Sequence, residues 1–165
     1  MPPRSLLRCL FVLAFASASV GGRAAVPAGE LLVRQGERGV PCFTIAQAEE
    51  ERSGTPDFHA ITVGEAGSKV PMWKMVMPAQ RTFPVTFRMC IPYAGRLPVL
   101  PQTPAAPLQA GRVYEVAIDA RAPRPSAAAR NYRGRFCLVA QGSGALEVRN
   151  IALSASRQRQ PCGQP

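Results

Sequence analysis

The stretch Asn131–Ala140 constrains the fold most, because aromatic, apolar and basic residues alternate along it with a period of two. Successive side chains of a β-strand point to opposite faces of a sheet. One face of this stretch carries Tyr132, Gly134, Phe136 and Leu138. The other face carries Arg133, Arg135, Cys137 and Val139. The pattern predicts a central strand whose aromatic face belongs to the core and whose cysteine points outward with the arginines.

Six further segments have the composition of short strands, and turn residues separate them. They are residues 40–45, 58–63, 70–77, 81–90, 113–119 and 145–151. A chain of 165 residues that is 47% apolar is long enough for one hydrophobic core and too short for two. Together these features predict an all-β fold, a single immunoglobulin-like antiparallel β-sandwich of about seven to eight strands.

The alternation also assigns side chains to the core. Trp73, Met75 and Met77 share one side of segment 70–77 and should fill the space between two sheets. A methionine-rich binding surface or a copper site is the alternative for these methionines. In segment 81–90 the predicted core face consists of Phe83, Val85, Phe87 and Met89, and Pro84 favours an edge position or a bulge.

Residues 1–24 have the features of a secretory signal peptide. Arg4 and Arg8 precede an apolar run, and small residues that permit cleavage follow between Ala18 and Ala25. Cys9 lies inside the apolar run rather than behind a lipobox, so we expect no lipid attachment there. The sequence therefore predicts a periplasmic or secreted protein without a transmembrane segment, comprising a β-sandwich domain over residues 25–153 and a polar tail over residues 154–165.

Four cysteines remain after the signal, an even number that favours disulfides in an oxidising compartment. They are Cys42, Cys90, Cys137 and Cys162. Four cysteines permit three connectivities. Because three of them lie on the less apolar faces of their strands, a bridge through the core is disfavoured. We expect Cys42–Cys90 and Cys137–Cys162, with the second bond holding the tail beside the last hairpin.

The charge balance is strongly basic, with 20 Lys and Arg against 10 Asp and Glu. Such a surface favours acidic partners, whether protein, nucleic acid or anionic lipid. Arginine supplies almost all of the positive charge, and a bias in genomic base composition is an alternative source of that excess. Export and the absence of a basic-aromatic motif argue against nucleic acid as the partner.

Prolines recur at every third position between Pro98 and Pro107. Polyproline II has three residues per turn, so Pro98, Pro101, Pro104 and Pro107 would form one ridge. Such a ridge can dock in an aromatic groove of a partner, or it can serve as a stiff connector.

The sequence contains no recognisable catalytic constellation. His59 is the only histidine, and no nucleophile arrangement surrounds it. Adjacent carboxylates at Glu49, Glu50 and Glu51 can act in general acid–base chemistry, but in a segment bounded by Gly and Pro they are typical of an exposed loop. No cysteine spacing matches a zinc or redox motif. We therefore expect a protein that is not an enzyme and that uses neither a metal nor a cofactor.

Five short motifs resemble a group of small bacterial periplasmic proteins described as type VI secretion immunity periplasmic lipoproteins. They are Val-Pro-Cys-Phe at 40–43, Met-Trp-Lys at 72–74, Cys-Ile-Pro-Tyr-Ala-Gly at 90–95, Gly-Arg-Val-Tyr at 111–114 and Tyr-Arg-Gly-Arg-Phe-Cys-Leu at 132–138. The resemblance spans roughly residues 40–151. The chain departs from these lipoproteins because it has no lipobox cysteine after its signal, and the proline ridge and the Cys162 tail are further differences.

This resemblance implies a non-enzymatic periplasmic protein that binds and blocks a toxin. We expect the partner surface on the basic segment 121–135 together with the proline ridge, because arginines in an exposed segment suit an acidic partner. The predicted contact residues are Arg121, Arg124, Arg130, Arg133, Arg135, Pro98, Pro101 and Pro104. The alternative is a basic module that binds anionic lipid or polysaccharide of the cell envelope.

Overall fold

The computed structural model describes residues 28–81, 83–95, 100–121, 131–153 and 162. Within these residues the chain forms eight strands, one short 3-10 turn at Glu37–Gly39 and one α-helix, α1, at Gln47–Ser53. The strands are β1 Gly29–Gln35, β2 Pro41–Ile45, β3 Asp57–Glu65, β4 Pro71–Val76, β5 Ile91–Pro92, β6 Val113–Arg121, β7 Asn131–Ala140 and β8 Leu146–Ile151. The predicted all-β class is confirmed.

The strands form one curled sheet in the order β4-β3-β6-β7-β1-β2-β5, with β8 also paired to β7. β1 bends the sheet into two layers, because Gly29 and Glu30 pair with β7 whereas Leu31–Gln35 pairs with β2. The β1–β7 pair is parallel and the other pairs are antiparallel, so the sheet is mixed. The parallel pair is the one departure from the expected antiparallel order.

Aromatic side chains join the two layers in the core. Phe43 on β2 packs against Trp73 on β4 with ring centroids 6.4 Å apart, and against Phe136 on β7 at 5.7 Å. Trp73, Met75 and Met77 are all buried, which confirms their predicted place in the core. Trp buries a large apolar area, and Met adapts to irregular gaps, so this cluster supplies much of the packing between the layers.

The alternation predicted for β7 is confirmed, with Tyr132, Phe136 and Leu138 buried in the core and Arg133 exposed on the opposite face. Cys137 lies on the face of the arginines, as expected, and is bonded to Cys162. It is 0% exposed, so this position is covered.

Both disulfides join the expected partners. The Cα atoms of Cys42 and Cys90 are 5.4 Å apart, and those of Cys137 and Cys162 are 5.9 Å apart. None of these cysteines belongs to the main hydrophobic core cluster. The bonds therefore hold the periphery of the sandwich, and Cys162 is attached beside the last hairpin.

The acidic segment after β2 is helical, so the prediction of an exposed loop was wrong. Glu49 and Glu50 lie in the first turn of α1, where carboxylates interact favourably with the helix dipole. Gly54 ends the helix with a φ of 78°. Glu49 is only 7% exposed, and Glu50 accepts a hydrogen bond of 2.7 Å from the backbone N–H of Phe87. The acidic cluster therefore anchors a neighbouring loop.

That loop contradicts a second prediction, because residues 81–90 form turns and an isolated bridge between Asp57 and Pro84 instead of a strand. Val85 is buried as expected, whereas Met89 is exposed. Pro84 cannot donate to a strand ladder. Side chains satisfy other backbone groups of the loop: the Thr44 hydroxyl donates to the carbonyl of residue 86 at 2.9 Å, in addition to the bond made by Glu50.

The proline-rich segment lies along the free edge of β4. Val76 N–H donates to the carbonyl of Pro101 at 3.0 Å, and Thr103 N–H donates to the carbonyl of Lys74 at 2.9 Å. The N–H of Ala106 donates a further hydrogen bond of 3.0 Å to the carbonyl of Met72. An uncovered edge strand promotes pairing with other chains, and this segment occupies that edge.

Several predicted features lie outside the described residues. They are the signal peptide at residues 1–24, Pro98 in the proline ridge, Arg124 and Arg130 in the basic segment, and the tail apart from Cys162. In the part of the chain that is described, no helix has the length and apolar character needed to cross a membrane.

Candidate binding surface

The face of β4, β3, β6 and β7 that points away from the core carries the candidate site, and we call it the outer face. Strand register places Lys74, Thr62, Ala117 and Arg133 side by side across it. Neighbouring strands are 4.7–4.9 Å apart, so the Cα atoms of Lys74 and Arg133 are separated by about 14 Å. Two long cationic side chains therefore face each other across two short side chains.

A second row lies two residues further along the strands and consists of Gly64, Glu115 and Arg135. The guanidinium of Arg135 binds the carboxylate of Glu115 through Nη2 at 2.6 Å and through Nε at 2.8 Å. Both nitrogens reach the same oxygen, Oε1. The pairing holds Arg135 over β6 and fixes one wall of the surface.

The two rows enclose a concavity of about 470 Å³, which we call the outer groove. Its floor consists of the short side chains Thr62, Gly64 and Ala117. One wall is formed by the β3–β4 turn and β4, and the opposite wall by β7 and the end of β8. The wall residues are Lys69, Val70 and Lys74 on the first side, and Arg133, Arg135 and Leu153 on the second. The groove exists because small residues on β3 and β6 lie between long residues on the flanking strands.

The groove has an excess of positive charge. Four cations line it, against the two carboxylates Glu65 and Glu115. Each carboxylate has an arginine partner, since Glu65 binds Arg112 at 3.0 Å and Glu115 binds Arg135. Among the described residues, no ion pair involves the remaining three cations of the groove. These are Lys69, Lys74 and Arg133, and all three are exposed. Their charges are available to an anionic ligand.

Exposed apolar side chains border the same groove. In the described part of the chain, the large hydrophobic residues that are exposed are Val70 at 72%, Leu153 at 44% and Met89 at 37%. Val70 and Leu153 line the outer groove, one on each wall. Cations together with accessible apolar residues are typical of protein interfaces, in which apolar contacts and charge complementarity act together.

A second concavity of about 690 Å³ adjoins the groove, and both share Arg133, Gly134, Arg135 and Leu153. Glu49 of α1 lines it and forms an ion pair of 2.5 Å with Arg52. The second carboxylate oxygen of Glu49 and the hydroxyl of Tyr132 are buried, and neither has a hydrogen-bond partner in the described part of the chain. Burial raises the pKa of Tyr132, the nearby charge of Glu49 raises it further, and Arg52 acts in the opposite direction.

The structure separates the residues predicted to form one surface. Arg133 and Arg135 are together on the outer groove, and Arg133 Nε donates to the side-chain oxygen of Asn131 at 2.8 Å. Arg121 is at the end of β6 and donates to the carbonyl of residue 79 at 2.7 Å. Pro101 and Pro104 line a different concavity, next to Trp73 and residue 94. They are four strand spacings, about 19 Å, from Arg133.

Sequence reasoning did not select Lys69, Lys74, Val70 or Leu153 as site residues. The alternation of segment 70–77 places Lys74 and Trp73 on opposite faces of the strand. Because Trp73 is predicted to be in the core, this signal indicates that the lysine lies on the outer face. The proximity of Lys74 to Arg133 depends on the strand order β4-β3-β6-β7, which the spacing of residues along the chain does not reveal.

The described residues include no cluster of three or more His, Cys, Asp or Glu side chains arranged to hold a metal ion. The chain matches no protein-family model, no curated protein and no solved structure.

Proposed function

We propose that this chain is an exported, non-enzymatic binding protein whose outer groove engages an acidic protein partner. The observation that carries the proposal is the pair of exposed cations, Lys74 and Arg133, which face each other across a concave surface and form no ion pair with the described residues. Charges placed in this way accelerate association with an anionic partner and select its orientation.

Two features favour a protein over the anionic lipid or polysaccharide of the envelope. The cations line a concavity, whereas a bilayer presents a broad surface of headgroups that suits basic clusters on exposed helices or juxtamembrane segments. Val70 and Leu153 also expose apolar area at the groove walls, and a polysaccharide or a headgroup layer offers few apolar groups to cover them. A protein partner can supply carboxylates and apolar side chains in one interface.

The class of partner follows from the sequence motifs. Their resemblance to periplasmic immunity proteins supports a toxin delivered into the periplasm as the partner, blocked by occupation of its surface. Such inhibition requires shape and charge complementarity and no catalytic group. The two disulfides are compatible with the oxidising compartment that this role requires.

The test compares retention of envelope proteins by the unmodified chain and by a double charge reversal, Lys74→Glu with Arg133→Glu. The matched control is Arg81→Glu with Arg88→Glu, which changes the net charge equally at exposed positions outside the groove. We expect the unmodified chain and the control to retain one identified protein, with weaker retention at high salt. The double reversal should abolish retention.

Equal retention by the groove variant and the control would refute the proposed site. Binding of the unmodified chain to anionic vesicles or to acidic polysaccharide, with no selective protein partner, would support the envelope module instead. Each variant should also unfold at the same urea concentration as the unmodified chain, because the four positions are exposed.

A further inference from the structure

We infer that the outer groove receives an extended acidic segment of the partner, lying along β3 and β6. This inference rests on the proposed function and specifies the shape and the chemistry of the bound segment. Charge complementarity supports an acidic occupant, since three cations of the groove form no ion pair among the described residues.

The width of the groove favours an extended chain over a helix. The Cα atoms that carry the wall residues Lys74 and Arg133 are about 14 Å apart, and an α-helix with its side chains is 10–12 Å wide. A helix with its side chains would leave about 1 to 2 Å on each side for the side chains of Lys74 and Arg133. An extended chain directs its side chains toward the two walls, so only its backbone lies over the floor of short residues.

The two opposed cations match the geometry of an extended segment. Successive side chains of an extended chain point to opposite sides. Two adjacent carboxylates on the partner can therefore reach Lys74 on one wall and Arg133 on the other. A helix turns by about 100° between adjacent residues and cannot direct two neighbouring side chains to opposite walls.

Val70 adds an apolar contact to the same wall. It lies in the bend before β4, and the register shift beside Gly64 brings it closer to the level of Lys74 than a regular strand would. We therefore expect the bound segment to carry two adjacent acidic residues, one for Lys74 and one for Arg133, and an apolar residue further along for Val70.

The test measures fluorescence anisotropy of a labelled ten-residue peptide that contains Val and two adjacent Glu residues, with Thr and Ser elsewhere. A second peptide of identical composition separates the two Glu residues by one position, so that both carboxylates lie on the same side of an extended chain. We expect the first peptide to bind the full chain at low salt and the second to bind at least tenfold more weakly.

The protein variants test the floor and the wall separately. Ala117→Phe fills the floor without a change of charge, and Ala140→Phe makes the same replacement at an exposed strand position outside the groove. Ala117→Phe should weaken peptide binding at least tenfold, and Ala140→Phe should leave it unchanged. Lys74→Glu should weaken it as strongly as Ala117→Phe, and this exposed substitution keeps the test valid if the phenylalanine variant fails to fold.

The inference is overturned if the unmodified chain does not bind the first peptide, if both peptides bind equally, or if Ala117→Phe and Lys74→Glu bind like Ala140→Phe. Envelope retention separates this failure from failure of the proposed function. If Ala117→Phe retains the partner while the double charge reversal loses it, the binding face stands and the extended segment is refuted. If the unmodified chain retains no partner protein, the proposed function fails as well.

Discussion

Replacement of Gly134 by alanine tests how β1 and β7 meet at the bend of the sheet. Gly134 lies on the core face of β7, where β1 passes from one layer to the other. A Cβ atom at position 134 would be 2.8 Å from the backbone oxygen of Leu31, 3.1 Å from its Cδ2 and 3.4 Å from its Cβ. The closest contact is with the main chain, so rotation of a side chain cannot relieve it.

The expected loss of stability follows from two opposing effects. Alanine restricts the unfolded chain and by itself stabilises a protein by about 0.4 to 1 kcal/mol where the backbone suits it. Overpacking of a dense core typically costs about 1 to 3 kcal/mol. Because Leu31 belongs to a strand paired on both sides, we expect Gly134→Ala to lower the free energy of unfolding by about 1 to 2 kcal/mol. Gly134→Val should lower it by about 3 kcal/mol or more.

Urea unfolding measures this loss, with fluorescence of Trp73 as the signal, since it is the only tryptophan and is fully buried. Gly142→Ala is the matched control, because a Cβ there meets no atom within 4 Å. The control should change stability by less than about 0.5 kcal/mol. Gly134→Ala that is as stable as the control would refute the close approach of β1 to β7.

Further predictions concern three polar side chains, Tyr93, Glu50 and Tyr132. Burial, and secondarily the Tyr114 hydroxyl, raise the pKa of Tyr93 from 10.0 to about 12, and its hydroxyl donates to the carbonyl of residue 106 at 2.6 Å. Because this hydroxyl ionises first in the unfolded chain, its contribution to the free energy of unfolding should be fully present below pH 10. The free energy of unfolding should fall by roughly 2 kcal/mol as the pH approaches 12. In alkaline urea titrations, Tyr93→Phe should show a smaller fall. Glu50→Ala removes the acceptor of Phe87 N–H and should lower the free energy of unfolding by about 1.5 to 3 kcal/mol, and an unchanged urea midpoint would contradict that contact. Tyr132→Phe removes a buried hydroxyl that has no hydrogen-bond partner among the described residues, and it should be neutral or slightly stabilising in thermal unfolding. A loss above about 1 kcal/mol would show that the hydroxyl is bonded.

The sequence predicts best where one face of a strand is buried and the other is solvated. In β7 the alternation of aromatic and basic residues fixes both faces, and strand and side-chain orientation were predicted correctly. Parity also placed Cys137 on the outer face, where it is bonded to Cys162 as expected, but parity does not reveal that this position is fully buried. Cys162 is distant in sequence, and its bond covers that position.

Two errors arose where side chains form long-range hydrogen bonds. Residues 81–90 alternate like a strand, yet their backbone is bound by Thr44 and Glu50 rather than by a neighbouring strand. The acidic segment of α1 has a composition that suits a loop, but Glu50 accepts a hydrogen bond from the backbone of residue 87 and Glu49 is packed into the fold. Tertiary contacts determine both structures, and local propensity does not contain them.

The candidate site was only half predictable for the same reason. Arg133 and Arg135 could be assigned to the outer face from alternation alone. Their opposite wall, formed by Lys74 and Val70, comes from β4 and the turn before it, and β4 is three positions away in the sheet. The proline ridge was grouped with the arginines because both are exposed, whereas the structure places Pro101 along the edge of β4.

Photo-crosslinking from Val70 tests the central claim most directly, namely that an acidic protein partner occupies the outer groove. A photoreactive phenylalanine analogue at residue 70 and, separately, at Met89 compares two exposed apolar positions, of which only the first lines the groove. In cells that contain the partner, we predict that residue 70 crosslinks to an acidic segment of one protein and that residue 89 does not. Equal crosslinking from both positions, or crosslinks from residue 70 to lipid alone, would contradict the claim.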